Sequence, residues 1–280
     1  MRIAVTGASG FLGQELIRAM QDDHIILPLT RSDADITDQE AMFKIITDFH
    51  AELVIHTAAI RELDFCERYP EIARSVNIVG TKNVLQAAVA CSADFCLISS
   101  DAVFSGKRMT PYGENAIARP CSVYGQTKLA AERITARWPK HYIFRVSVLF
   151  GPGKLNFFET VLRTVAAGQQ YTAATDQIGS ATYTPDATRV IKRVVERQTY
   201  GLFHLCNPGI YSRFEFACLA ASIAGLDPSK ITGKRRDEFC GEARRSEYSG
   251  MRMDRLLTFG IPLPRPVYSS LAEYIRTFVF

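Results

Sequence analysis

The segment Arg2-Ile3-Ala4-Val5-Thr6-Gly7-Ala8-Ser9-Gly10-Phe11-Leu12-Gly13 decides the fold. Residues 2–6 are a short apolar run with β-branched members, which reads as a buried strand, and helical spacing takes over at residues 12–21. Between them Gly7, Gly10 and Gly13 are spaced three apart. Strand, glycine turn and helix in this order open a βαβ unit. Missing side chains at such a turn let the backbone approach a pyrophosphate at the positive end of the helix. Gly7, Gly10 and Gly13, with Phe11 and Leu12 at the head of the helix, are therefore candidate dinucleotide-binding residues, against the plainer reading of a tight turn.

Working outward, residues 24–30 form a second apolar run in which Pro28 is tolerated at a sheet edge, and residues 38–49 are helical behind a Thr37/Asp38 cap. A strand is expected over 53–56. Pro70 opens a helix reaching residue 90, with Ile72, Val76, Val79, Val84, Leu85 and Ala88 at helical spacing. A strand over 95–99, a helix over 124–137 ending before Pro139, and a strand over 142–146 complete the series. Strict alternation of strand and helix requires crossover connections. The expected fold class is therefore α/β, a doubly wound parallel sheet of Rossmann type.

Beyond residue 147 the texture changes. Gly151-Pro152-Gly153 is followed by helices expected over 156–167, 186–198, 213–224 and 269–278 and by short apolar pieces at 170–172 and 202–205, which read as a smaller mixed α/β lobe. Residues 1–147 are assigned to dinucleotide binding and 148–280 mainly to substrate, some C-terminal segments being free to return to the first lobe. The two lobes should share one cleft.

Composition sets outer limits. The 280 residues carry 33 Lys+Arg against 29 Asp+Glu, a net charge of +4, too small and dispersed for a nucleic-acid binder. Hydrophobic residues at 47% supply a sizeable core, and no run approaches the roughly 18 uninterrupted apolar residues of a membrane span. A soluble, cytoplasmic protein is expected. Seven cysteines without a C-x-x-C pair point to reduced thiols, and with five scattered histidines no protein-ligated metal is expected.

Three features carry chemistry. Arg31, just after the second strand, stands where an acidic residue would bind a ribose hydroxyl; an arginine there can fork onto a 2′-phosphate, which favours NADP over NAD. Tyr124 and Lys128 are spaced i, i+4 at the start of a helix and share one face. An ammonium there should lower the tyrosine pKa toward neutrality and make it a usable proton donor. Ser100 ends a strand at the sheet edge where doubly wound proteins bind ligands, and its hydroxyl can polarise a carbonyl; neighbouring Ser99 reads as a turn cap.

With these residues in order, the chain resembles an extended short-chain dehydrogenase/reductase, more narrowly the dTDP-4-dehydrorhamnose reductase family. The resembling segments are T-G-A-S-G-F-L-G (6–13), D-I-T-D (35–38), H-T-A-A (56–59), N-I-V-G-T-K-N-V (77–84), S-S-D-A-V-F-S-G (99–106) and P-C-S-V-Y-G-Q-T-K-L-A-A-E (120–132). Shorter likenesses follow at 144–147, 176–182 and 201–205. The resemblance implies a catalytic triad of Tyr124, Lys128 and Ser100. It places Thr57, Ala58 and Ala59 beside the nicotinamide-side ribose and Asp35 and Ile36 at the adenine, with Asn77 supporting the lysine side.

It also implies reduction of a keto group on a nucleotide-linked deoxysugar with NADP(H), NAD being the alternative cofactor. A nucleotide-sugar epimerase and a non-catalytic NADP-binding regulatory subunit are the competing readings. The partner is a small-molecule nucleotide sugar, with a homodimer implied by the family. Two departures bear on substrate. Ala102 stands where rhamnose-forming members usually place a sugar-touching tyrosine, and where related dehydratases carry an acidic residue. The basic residues Lys234, Arg235, Arg236, Arg244 and Arg245 read either as a solvated loop or as contacts to a diphosphate.

Overall fold

Period-two alternation in β1 (Arg2–Thr6) sets up the layers: Ile3 and Val5 join the core on one face of the sheet and Ala4 the core on the other, all three buried. The computed structural model describes residues 1–279. After the glycine turn come α1 (Phe11–Met20), β2 (Ile25–Leu29), α2 (Gln39–Asp48) and β3 (Leu53–His56). Asp38 caps α2 as its position before the apolar run requires, accepting from the Ala41 N–H at 3.0 Å. A short α3 (Leu63–Arg68), unforeseen in the sequence, precedes α4 (Pro70–Arg74). A π-helical turn, Ser75–Gly80, carries α4 on into α5 (Thr81–Ala90), so the helix expected from Pro70 to residue 90 is present with one wide turn inside it. β4 (Asp94–Ser100), α6 (Val123–Thr135) and β5 (His141–Val146) follow.

The remaining elements are β6 (Val148–Phe150), α7 (Phe157–Ala166), β7 (Tyr171–Ala174), β8 (Ile178–Tyr183), α8 (Thr184–Glu196), β9 (Gly201–Leu205), β10 (Asn207–Ser212), α9 (Arg213–Ile223), β11 (Ile231–Lys234), α10 (Asp254–Thr258) and α11 (Val267–Tyr274). The main sheet runs β2-β1-β3-β4-β5-β9, every pair parallel. Pro28 lies in the edge strand, as its missing donor demands. Small sheets β10-β8-β6 and β11-β7 build the second lobe around an aromatic core that includes Phe150, Phe158, Tyr183 and Phe216.

Two expectations are corrected here. Residues 202–205 belong to β9, which pairs with β5 in the main sheet, because Phe203 and Leu205 are apolar enough to be buried there. The helix expected over 186–198 is α8, and it does not serve the smaller lobe alone. Its Val190, Ile191 and Val194 cover the same sheet face as Leu12 and Leu16 of α1, since a parallel sheet needs helices on both faces. The chain reverses strand order between β2-β1 and β3-β4, and in such sheets ligands bind beyond the carboxyl ends of the strands at that point.

Candidate active site

Four strand ends meet where the order reverses. Gly7 follows β1 with a φ of +70°, and a Cβ there would lie 2.6 Å from Thr57 Oγ1 and 2.7 Å from the Ala58 nitrogen. Only glycine lets the first turn and the loop after β3 approach this closely. A Cβ on Gly10 would come within 2.9 Å of the Gly7 carbonyl, and one on Gly13 closer still. The Gly10 N–H bonds Gly7 O at 2.7 Å, after which α1 starts with no side-chain cap and no acidic residue in its first turn. Such a helix start offers unsatisfied N–H groups and a positive dipole to an anion, so the residues present fit a dinucleotide pyrophosphate.

Thr57, Ala58 and Ala59 lie half-buried immediately after β3, with the Thr57 hydroxyl donating to Thr6 O at 2.7 Å. Arg31 lies just past β2, its side chain 89% exposed and 3.3 Å from Asp35. The Asp35 carboxylate is also engaged by the Thr37 N–H at 2.9 Å and hydroxyl at 2.8 Å, so it shapes its own loop. Ile36 packs on Gly80, and Asn83, which sequence reasoning missed, donates to the carbonyls of Ile36 and Thr37 at 3.0 and 3.1 Å. Asn77 braces the π-helical turn against two neighbours: it exchanges hydrogen bonds with the Ile60 backbone at 2.8 and 2.9 Å and donates to Thr127 Oγ1 at 3.0 Å. Its support goes to the helix that carries Lys128.

That helix, α6, begins behind Ser122, which accepts from the Gly125 N–H at 3.1 Å. Tyr124 faces a cleft of about 1040 Å³ also lined by Phe11, Ser100 and Asp101, so the head of α1, the end of β4 and the start of α6 open onto one space. Lys128 does not line it. One turn further on, it is 3% exposed, and burial pushes its ammonium down to about 8 against the opposing charge of Glu132. The expected lowering of the Tyr124 pKa is corrected: burial pushes the phenol up to about 12, a hydrogen bond from the Ser100 side pulling the other way and Asp101 adding to the rise. Desolvation of the phenolate outweighs the Ser100 hydrogen bond and the Arg61 charge, the groups that pull it down.

The capping role expected of Ser99 falls to Ser100. Ser100, not Ser99, is the turn cap, accepting from the Ala102 N–H at 3.1 Å while its hydroxyl donates to Asp101 Oδ1 at 3.1 Å. Ser99 is buried inside β4 and donates to Glu132 at 2.5 Å. Glu132 in turn holds Arg145 of β5 through two bonds of 2.9 and 2.7 Å, both side chains 5% exposed. Asp101 is a hub that the sequence did not reveal. Its other oxygen accepts from Ser147 at 2.6 Å and Ser249 at 2.7 Å, joining the end of β4 to the second lobe.

The five basic residues divide. Arg236, Arg244 and Arg245 line the cleft, Arg245 reaching across to Asp64 of α3 at 3.3 Å; Arg235 is drawn aside toward Asp176 and Asp237. Arg213 lines the cleft as well and had no signal beyond its place after the Ser212 cap. Ala102 is not among the lining residues, and its carbonyl packs against Gly125.

Comparison with known proteins agrees with this geometry. The family described as RmlD substrate binding domain matches residues 1–280. A dTDP-4-dehydrorhamnose reductase of Mycolicibacterium smegmatis is 32% identical over 99% of this chain and 86% of its own length. A crystal structure of a dTDP-4-dehydrorhamnose reductase from Clostridium acetobutylicum superposes with a TM-score of 0.95 at 34% identity, covering 99% of each chain. One from Bacillus anthracis in complex with NADP gives 0.95 at 29% identity over 98% of each. On the full-length match and on identity above 30%, the chain belongs to the RmlD substrate binding domain family, that of the dTDP-4-dehydrorhamnose reductases.

Proposed function

We propose that the protein reduces the 4-keto group of a dTDP-linked 6-deoxysugar with NADPH. The observation that carries this reading is the opening of Tyr124, Ser100 and the glycine-turn end of α1 onto one cleft. Relatives of this identity are named as reductases, and one is solved with NADP, which favours the reductase over an epimerase or a binding-only subunit. Bound at Gly7, Gly10, Phe11, Leu12 and Gly13, with Arg31 at the 2′-phosphate, Asp35 and Ile36 toward the adenine and Thr57 to Ala59 beside the ribose, NADPH would supply the hydride.

Tyr124 gives its proton to the developing alkoxide. A phenol held neutral by burial is the form a donor needs at pH 7. Lys128 orients the cofactor side of the site and, as a cation, stabilises the phenolate left behind. The Ser100 hydroxyl holds the substrate oxygen, for which it turns from Asp101. Residues 1–147 hold mainly the dinucleotide and residues 148–280 mainly the sugar nucleotide, in a cytoplasmic protein that forms a homodimer.

NADPH and NADH oxidation by the purified protein with a panel of dTDP-linked 4-keto-6-deoxysugars tests the reading. Stoichiometric oxidation, faster with NADPH, is expected. Tyr124→Phe should lower turnover by about a hundredfold or more and leave NADPH affinity unchanged. Equal turnover in the two proteins removes Tyr124 from the chemistry.

A further inference from the structure

The second-lobe wall of the cleft carries a cation that the reaction above does not use. Arg213 opens α9, and its guanidinium lies over the Phe157 ring, 5.3 Å from the centroid. This contact holds the group without neutralising it. Among the described residues no carboxylate lies within ion-pair distance of Arg213 or of the exposed Arg244, whereas Arg236 and Arg245 reach Glu247 at 3.0 Å and Asp64 at 3.3 Å; of the two unpaired groups Arg213 is the one fixed against a ring. Burial pushes the Arg213 guanidinium down to about 10, the Asp101 carboxylate draws it up and the Arg245 charge pushes it down again. Arg213, the strand end that bears Ser100 and Asp101, and the Arg245 guanidinium all line the one cleft.

A partly desolvated cation without a counter-charge costs free energy that an incoming anion returns. The planar fork of an arginine matches the oxygens of a phosphate, and a fixed fork loses less freedom on binding than a mobile one. The dinucleotide has its own anion site at the head of α1, on the first lobe, so the charge at Arg213 is left for a different ligand.

We propose that Arg213 anchors a phosphate of the substrate's nucleoside diphosphate, making the cleft select charged nucleotide sugars over uncharged glycosides. The identity of that ligand rests on the reductase reading; the residue that holds it is the new element. Arg245, already tied to Asp64, flanks the same anion, and Arg213 supplies the charge that nothing else compensates.

Calorimetric titration of the NADPH-loaded protein with thymidine diphosphate and with thymidine separates the two claims. Wild type should bind the diphosphate more tightly than the nucleoside. Arg213→Gln should lose about ten- to a hundredfold of diphosphate affinity, with thymidine and NADPH affinities unchanged. Undiminished diphosphate affinity in Arg213→Gln overturns the role of Arg213 and leaves the reductase reading standing. A wild-type protein that binds NADPH but shows no preference for the diphosphate overturns both. Should Arg213→Gln fail to bind NADPH, Arg213→Met, which keeps the packing length and removes the charge, takes its place; diphosphate affinity equal to wild type there also overturns the assignment.

Discussion

His56 shows how much of this site is held by single uncharged groups. The Thr81 hydroxyl donates its one proton to Asn77 O at 2.7 Å, so His56 Nε2, 3.1 Å away, must donate to Thr81, while Nδ1 shares a hydrogen bond of 2.7 Å with the Thr6 hydroxyl. The Thr6 hydroxyl serves a neutral ring as donor, and burial decides for that form. Burial, with Lys128 nearby, pushes His56 down to about 3, and burial beside Arg145 does the same to His204. Unfolded, each histidine titrates near 6.5. Between these values the unfolded chain binds more protons than the folded one, so stability is full above about pH 6.5 and falls as pH drops toward 3, by at most about 1.4 kcal/mol per pH unit for each histidine. The urea midpoint measured from pH 8 to 4 should fall along this limb, and His56→Gln should flatten it. An unchanged slope would show that His56 is protonated in the native state. The motif around His56 was legible because its residues are consecutive. The proton pattern was not, because Thr81 and Asn77 reach it only through the π-helical turn.

At the scale of elements, α6 carries Tyr124, Lys128 and Glu132 at successive i, i+4 positions, and the last of them sets the helix on the sheet. Glu132 bonds Ser99 of β4 and Arg145 of β5, a pair withdrawn from water on both sides. Removing one member of a buried pair strands the other charge. Glu132→Gln should therefore cost about 3–5 kcal/mol in chemical denaturation, while Glu132→Leu with Arg145→Met together should recover most of it. A double variant no more stable than Glu132→Gln would place the cost in the Ser99 bond instead. Apart from the six-residue α3, the helices and main-sheet strands of the first lobe were readable within a residue or two, since each runs long enough for its period to show. β8, β10 and β11 were not: four to six residues long and broken by Gly179, Pro208, Gly209 and Gly233, they lack the alternation that identifies a strand. The residues of β9 were read only as a short apolar piece of the smaller lobe, because a single residue, Cys206, separates β9 from β10.

Across the whole molecule the two halves are joined by polar contacts over the cleft as well as by the shared sheet. Asp64 of α3 accepts the N–H groups of Glu242 and Ala243 at 3.0 and 2.9 Å and the Arg245 guanidinium at 3.3 Å, while Arg68 holds Glu242 at 2.6 Å. The Ala243 N–H and the neighbouring Arg245 hold the Asp64 carboxyl below its usual range. Together they strap the loop that carries Arg244 and Arg245 to the first lobe. Asp64→Asn should raise KM for the sugar nucleotide several-fold with NADPH affinity unchanged, and amide exchange should quicken at residues 242–245. Wild-type exchange there would mean that the strap is held elsewhere. Neither Asp64 nor Asp101 announced such a role in the sequence, since their partners lie 178 to 181 residues away for Asp64 and on both sides of the lobe boundary for Asp101.

Pro28 has a consequence beyond the strand that contains it. In β2 the Ile25 N–H donates to Met1 O and the Leu29 carbonyl accepts from the Ala8 N–H, so the odd-numbered residues turn their backbone toward β1 and residue 28 turns outward. The proline therefore costs no bond in the existing ladder. It removes the donor that an approaching strand from another polypeptide would seek, and the exposed border of the sheet is a poor template for strand-by-strand aggregation.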